Sequence, residues 1–223
     1  KGGLVPRLMA VQGMWEGGKQ PLYRHPLDED PQMVHFTPLV ASIRQAVVTR
    51  MRAEGFDVEE RCDFNHALIQ LYRSGNDCIT EHADKTIDIK IGSYIVNFSL
   101  GATRTLVLRK KEKAVCVVGV DSREAIRVPL RSMSAFILGL DTNRTHLHEI
   151  KRDKRREEEK GDDEIAFGGQ RLSITFRTVA TFVDEADGSL SGQGAHLVDR
   201  GALLEAFRKE NKTTADWATL YRH

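Results

Sequence analysis

The chain has 223 residues, 40% of them hydrophobic and 29% charged, with a net charge of +1. This describes one generous globular domain with room for a buried core. The near-neutral balance excludes a strong global field, so any nucleic-acid contact must come from a local basic patch. No apolar run approaches the roughly 20 residues needed to cross a bilayer, and no membrane association is expected. Cys62, Cys78 and Cys116 are odd in number and widely spaced. That argues against a disulfide framework or a zinc site and fits an intracellular, reducing compartment, nucleus or cytoplasm. A monomer is expected.

The opening stretch is punctuated by Gly and Pro and reads as a short strand over 8–11, then an exposed loop carrying Met14, Trp15 and Tyr23. Thr37-Pro38 then opens a helix over 38–54, with Thr as N-cap and Pro at the first helical position. Leu39, Val40, Ile43, Val47 and Met51 recur at helical spacing, and Gly55 ends the run. From Asn65 the period changes to that of strands. Candidates fall at 67–72, 93–100, 103–108, 114–120, 126–130, 134–138 and 172–179, with Lys110-Lys111-Glu112-Lys113 as a hairpin connection. The pattern predicts a mostly β protein with flanking helices (α+β), a double-stranded β-helix or jelly roll braced by the 38–54 helix. Residues 151–163 are a block of charge, expected as a solvated, mobile insertion; the sharper alternative is that its basic half tracks a phosphate backbone. A C-terminal extension, 184–223, is expected to pack on the domain through a helix over 202–211 and the anchors Trp217 and Tyr221.

The chemistry-bearing residues begin with His82-Ala83-Asp84. A His and a carboxylate two apart on a strand, or on the turn that follows it, share one side. A distant second His can close a facial triad on iron, leaving three positions for a bidentate oxo acid and O₂, as in non-haem Fe(II) oxygenases. His146 and His148 have the same strand parity and either can serve. His148, directly before Glu149-Ile150-Lys151, is preferred, and Asp141 is a weaker rival in a turn. Arg171, Ser173, Thr175 and Arg177 lie on one face of a strand, with Ile174 and Phe176 on the other. A buried row holding two Arg is costly without an anion to meet it, and a dicarboxylate removes that objection. Gln70 and Tyr72 share a face upstream of the ligands and offer further hydrogen bonds to such an anion.

The ordered series Gln70-x-Tyr72-x-x-Gly75-x-Asp77-x-Ile79-x-x-His82-x-Asp84, Ile95-x-x-x-Ser99-Leu100-Gly101-Ala102-x-Arg104, His148-x-Ile150-Lys151 and Arg171-x-Ser173-x-Thr175-Phe176-Arg177 resembles the AlkB-type Fe(II)/2-oxoglutarate dioxygenases. The similarity spans roughly residues 5 to 183, and the tail from Gly192-Gln193-Gly194-Ala195 resembles that of fungal members. The resemblance implies a lid-like segment over 1–36 for nucleotide recognition and a catalytic domain over 37–183. It implies iron ligands His82, Asp84 and His148, and 2-oxoglutarate held by Gln70, Tyr72, Arg171, Ser173 and Arg177. It also implies coupling of 2-oxoglutarate decarboxylation, with O₂, to hydroxylation of an N-methyl carbon in DNA or RNA, which then leaves as formaldehyde. Arg7, Trp15, Tyr23, Lys85, Thr86 and Asp88 are the candidate contacts to a flipped alkylated base. Two departures stand out. Gln70 replaces a frequent Asn, and Thr86 stands where many nucleic-acid members carry an acid, with Asp88 as a candidate substitute. The alternatives are the same chemistry on a protein or small molecule, and a catalytically silent binding module.

Overall fold

In the computed structural model of the protein, residues 7–24, 32–59, 61–111 and 124–196 are described. The expected strand at 114–120, the helix at 202–211, Cys116, Trp217 and Tyr221 lie outside them. In chain order the elements are β1 (Leu8–Gly13), β2 (Lys19–Pro21), β3 (Val34–His35), α1 (Pro38–Ala53), β4 (His66–Tyr72), β5 (Ile79–His82) and β6 (Tyr94–Gly101). They continue with β7 (Arg104–Lys110), β8 (Ala125–Leu130), β9 (Ser134–Gly139), α2 (Leu140–Thr145), β10 (His146–Ile150), α3 (Asp162–Ile165), β11 (Arg171–Arg177), β12 (Thr181–Asp184) and β13 (Leu190–Gly192).

A six-stranded sheet runs β3-β1-β4-β11-β6-β9, and a four-stranded one runs β5-β10-β7-β8. Tyr72, Ile95 and Leu138 of the first meet Leu106, Leu108, Leu130 and Ile150 of the second in one apolar cluster. The result is the jelly roll that the strand pattern predicts. The helix sits on the outer face of the larger sheet. Thr37 caps it by accepting from the Val40 backbone N–H at 3.4 Å. Val40, Val47 and Met51 pack onto Phe64, Ala67, Val96, Phe98, Ile174 and Phe176. Full burial of each such side chain is worth about 1.5–3 kcal/mol. Leu39 stays exposed, so the buried stripe is narrower than the sequence suggests.

β11 lies between β4 and β6, and its two faces divide by parity. Ile174 and Phe176 look out to α1, whereas Arg171, Ser173, Thr175 and Arg177 are all buried on the inner face. Register sets Ser173 opposite Gln70 and Ser99, and Arg171 opposite Tyr72 and Gly101. At Gly101 the backbone has φ +93° and a Cβ would lie 2.3 Å from the Gln170 carbonyl oxygen, so only glycine fits beside Arg171.

Three parts depart from expectation. Tyr23 is buried rather than displayed on an exposed loop, whereas the strand expected at 8–11 is present as β1 and pairs with β4. The charged insertion is solvent-exposed over most of its length, as expected, but it is anchored to the domain. The Asp153 N–H donates to the Gly75 carbonyl at 2.9 Å and the Thr103 N–H to the Asp163 carbonyl at 2.8 Å. Arg155 bridges Asp153 at 2.9 Å and Glu164, just past the block, at 2.6 Å. β12 and β13 join β2 in a small sheet, β13-β12-β2, in a stretch where Gly188, Ser189, Ser191 and Gly192 announce no strand. Beyond it, the Gln193 amide donates to the Ile87 and Ile89 carbonyls at 2.9 and 2.8 Å, tying this segment to the loop after Asp84.

Phe176 is fully buried where α1 meets the sheet. Phe176→Ala is expected to lower stability by about 3–5 kcal/mol, transfer and cavity terms together; a urea midpoint unchanged from wild type would show that α1 does not pack as described.

Candidate metal and co-substrate site

His82 closes β5 and stands directly opposite His148 on β10, with ring centroids 4.3 Å apart. Asp84, two residues beyond the end of β5, lies on the same side as His82, while Ala83 is buried. Asp84 Oδ1 lies 3.7 Å from Nε2 of each imidazole. One ligand atom from each of the three residues falls within 4.8 Å of the others. His146 is outside this group, its Nδ1 beside the Thr145 hydroxyl at 2.9 Å, and Asp141 is an exposed partner of Arg144.

The other oxygen of Asp84 is committed. Arg177 Nε and Nη2 donate to Oδ2 at 3.0 and 2.6 Å, and the Tyr23 ring lies 4.4 Å from the guanidinium carbon. Oδ1 is therefore the oxygen presented to the imidazoles. Burial works against the Asp84 anion, but Arg177, then His148 and His82, outweigh it and hold the carboxyl below its usual range. Burial, followed by the neighbouring His82, pushes His148 down to about 3. Burial likewise lowers His82. His82 Nδ1 sits 2.8 Å from the Thr80 carbonyl, which can only accept, so the proton is on Nδ1 and the lone pair on Nε2. Two neutral imidazoles and one ionised carboxylate converge at neutral pH, the protonation state a cation requires of its ligands. The donor set fits Fe(II).

On the large sheet, Arg171 is 1% exposed. Its Nη2 donates to Asn97 Oδ1 and Ser99 Oγ, both at 2.8 Å, and its guanidinium lies 5.2 Å from the Tyr72 ring centroid. Nε and Nη1 of Arg171, and Nη1 of Arg177, have no hydrogen-bond partner among the described residues. Burial lowers Arg171 to about 10, which still leaves it cationic at neutral pH. A buried cation with unmatched N–H groups is destabilising by several kcal/mol on its own, on the order of the cost of desolvating one ion. A carboxylate meets that need, so these residues fit an oxo dicarboxylate as well. Asn97 itself donates to Ser173 and Thr175 at 2.6 and 2.9 Å, holding the inner row in place.

Gln70, 5% exposed, faces the same interior. With its amide oxygen turned to Arg7 it accepts from Nε at 2.7 Å and Nη2 at 3.2 Å, and Arg7 also reaches the Cys78 carbonyl. Trp15 is stacked on His35 at 3.7 Å and bonded to Glu185. Lys85 and Thr86 are half-buried on the chain that leaves Asp84. Asp88 is wholly buried, with both oxygens held by Arg24. Sequence reasoning also missed Asn97 and Asn143. Asn97 had a usable signal, a polar residue opposite Ser173 and Thr175, but only once the register was known. Asn143 bonds the Asp84 backbone, and nothing in its neighbourhood announces this.

The low His148 value carries a pH dependence. Because the folded value lies below the ordinary 6.5, protons bind the unfolded chain first. Stability of the metal-free protein should therefore fall as pH drops from about 6.5 towards 3, before Asp84 titrates. His148→Gln should flatten that slope in urea titrations across this range; an unaltered slope would remove His148 as its source.

A family model described as the 2OG-Fe(II) oxygenase superfamily matches residues 5–177. The protein described as DNA oxidative demethylase ALKBH2, from Bos taurus, is 33% identical over 95 residues, which cover 39% of this chain and 31% of that relative. The match thus spans less than a third of the relative's length. The solved structure of OsALKBH1 aligns over 78% of each chain with 20% identity and a TM-score of 0.44.

Proposed function

The chain belongs to the 2OG-Fe(II) oxygenase superfamily, as an AlkB-type dioxygenase that uses Fe(II), 2-oxoglutarate and O₂, and from that premise we propose that it removes alkyl groups oxidatively from nucleobases of DNA or RNA. His82 and His148, each through Nε2, and Asp84 through Oδ1 would hold the iron. Arg171 would take the distal carboxylate of 2-oxoglutarate through Nε and Nη1, helped by Tyr72, Ser173 and Gln70, and Arg177 would lie near the keto-acid end. When bound, the metal and co-substrate supply the oxidation: O₂ is consumed, 2-oxoglutarate becomes succinate and CO₂, and a substrate C–H becomes C–OH. An N-hydroxymethyl product then loses formaldehyde without help from the protein. The chain's own work is to bind, orient and exclude water. Arg177 keeps Asp84 ionised and aimed, the Thr80 carbonyl keeps the His82 proton away from the metal side, and the buried inner row excludes solvent from the co-substrate.

The observation that carries the oxygenase reading is the pairing of the three-ligand cluster with unmatched Arg171 N–H groups on the facing sheet. The nucleobase reading is supported by the similarity to ALKBH2, itself described as a DNA oxidative demethylase. A second reading, the same chemistry on a protein or small molecule, draws on Thr86 and on the Arg24-bound Asp88, which leave no acid in the expected place. Incubation with methylated single-stranded oligonucleotides, reading succinate and formaldehyde together, separates the two. Equimolar products with binding that weakens as salt rises are expected. Succinate without formaldehyde across the methylated-base set would favour the second reading.

Arg171→Ala should raise the KM for 2-oxoglutarate about 10–100-fold in uncoupled succinate formation, the equivalent of one charge-assisted contact of roughly 1.5–3 kcal/mol. Arg171→Lys should recover only part of this, having a point charge in place of a fork. An unchanged KM in Arg171→Ala would put the anchor elsewhere.

His82→Ala should abolish turnover and metal binding, and Arg177 still pairs with the buried Asp84 in that variant, so the fold should survive. Wild-type turnover in that variant would end the assignment of the metal ligands.

A further inference from the structure

The ladder between β5 and β10 fixes two of the three ligands, since His82 and His148 face each other in register. β5 ends at His82. The same register continued would set His146 opposite Asp84, but that rung is not formed because β5 stops at His82; the other edge of β10 pairs with β7. The carboxylate ligand therefore stands just beyond the last rung, with a backbone N–H and C=O that no strand serves. Asn143 serves both. Its Oδ1 accepts from Asp84 N–H and its Nδ2 donates to the Asp84 carbonyl, each at 2.8 Å. A side-chain amide is a peptide group in miniature, and this reciprocal pair of bonds copies what two facing antiparallel residues exchange. Asn143 is 2% exposed and belongs to α2, which leads straight into the strand carrying His148.

We propose that Asn143 is a positioning residue for the metal centre: it adds the missing rung to the ladder, and so couples the placement of Asp84 to that of His148. Asp84 is gripped from two directions. Arg177 fixes Oδ2 from the large sheet, and Asn143 fixes the backbone from the helix beside the small one. Together they leave Oδ1 equidistant from the two imidazoles. Without Asn143 the main chain can rotate about the end of β5, and the carboxylate follows Arg177 instead of the metal. The contact touches neither metal nor co-substrate, so its effect should appear in metal affinity before it appears in chemistry.

The test titrates Co(II) into metal-free wild type, Asn143→Ala and Asn143→Asp, following the ligand-field absorption of the bound ion, with urea midpoints measured in parallel. Asn143→Ala should weaken Co(II) binding about 10–100-fold, the effect of losing a partner that orients a ligand. At saturating metal the affinity for 2-oxoglutarate should stay within about twofold, because the Arg171 side of the site is untouched. Asn143→Asp has nearly the same shape and keeps an acceptor for the Asp84 N–H, but it cannot donate to the carbonyl. It must also bind Co(II) more weakly, which keeps the test decisive if Asn143→Ala folds poorly. A lowered urea midpoint with wild-type Co(II) affinity in the folded variant would overturn the proposal and reduce Asn143 to an ordinary structural contact. Because the readout is metal binding, the outcome is independent of whether the substrate is a nucleobase.

Discussion

The ion pair between Arg177 and Asp84 is the constraint on which the site depends. It joins the large sheet to the end of β5 across the interior, at 2.6 and 3.0 Å to one carboxylate oxygen. Both groups are buried, where desolvation alone would drive each towards its neutral form. Paired, both stay charged. One oxygen is spent on the guanidinium, so the other is left to face two imidazoles that burial keeps neutral. The same residue thereby sets the charge, the orientation and the denticity of the carboxylate. Tyr23, whose ring faces the Arg177 guanidinium, closes the far side and is part of this support.

Arg171 shows the complementary logic. Two of its donors are met by Asn97 and Ser99, which hold the side chain in one rotamer. Two nitrogens are left over. Such an arrangement is preorganised for an anion with planar, paired oxygens, and its destabilising charge is offset when that anion binds. Around the outside, Arg109 touches Glu149 at 2.5 Å and Glu81 at 3.6 Å, the residues next to the two histidines. The ladder that carries the ligands is thus held on both of its faces.

Most of this was legible where periodicity and charge point the same way. The helix announces itself by Thr37-Pro38 and a 3.6-residue apolar stripe, and it forms over 38–53. β11 announces two faces, one apolar and one bearing Arg, Ser and Thr, and both are found buried as that pattern demands. His82, Asp84 and His148 could be paired because alternation puts the first two together and an Arg-bearing strand follows the third. What was not legible depends on contacts distant in sequence. Asp88 looks like an available acid until Arg24, 64 residues away, is seen to hold it. The 151–163 block is solvated as its charge suggests, but nothing local shows that Asp153 and Asp163 will meet Gly75 and Thr103. β12 and β13 are short, and the pairing of β12 with β2 brings residues far apart in the chain together. Asn143 is a single amide whose role exists only because β5 stops two residues too early.

Adding Fe(II) and then 2-oxoglutarate to the metal-free protein without oxygen tests the whole account in one cuvette. If three protein ligands leave room for a chelating oxo acid that Arg171 anchors, a visible metal-to-ligand charge-transfer band should grow and saturate at one equivalent of each. Iron that binds without ever producing that band in the presence of 2-oxoglutarate would contradict the assembled site.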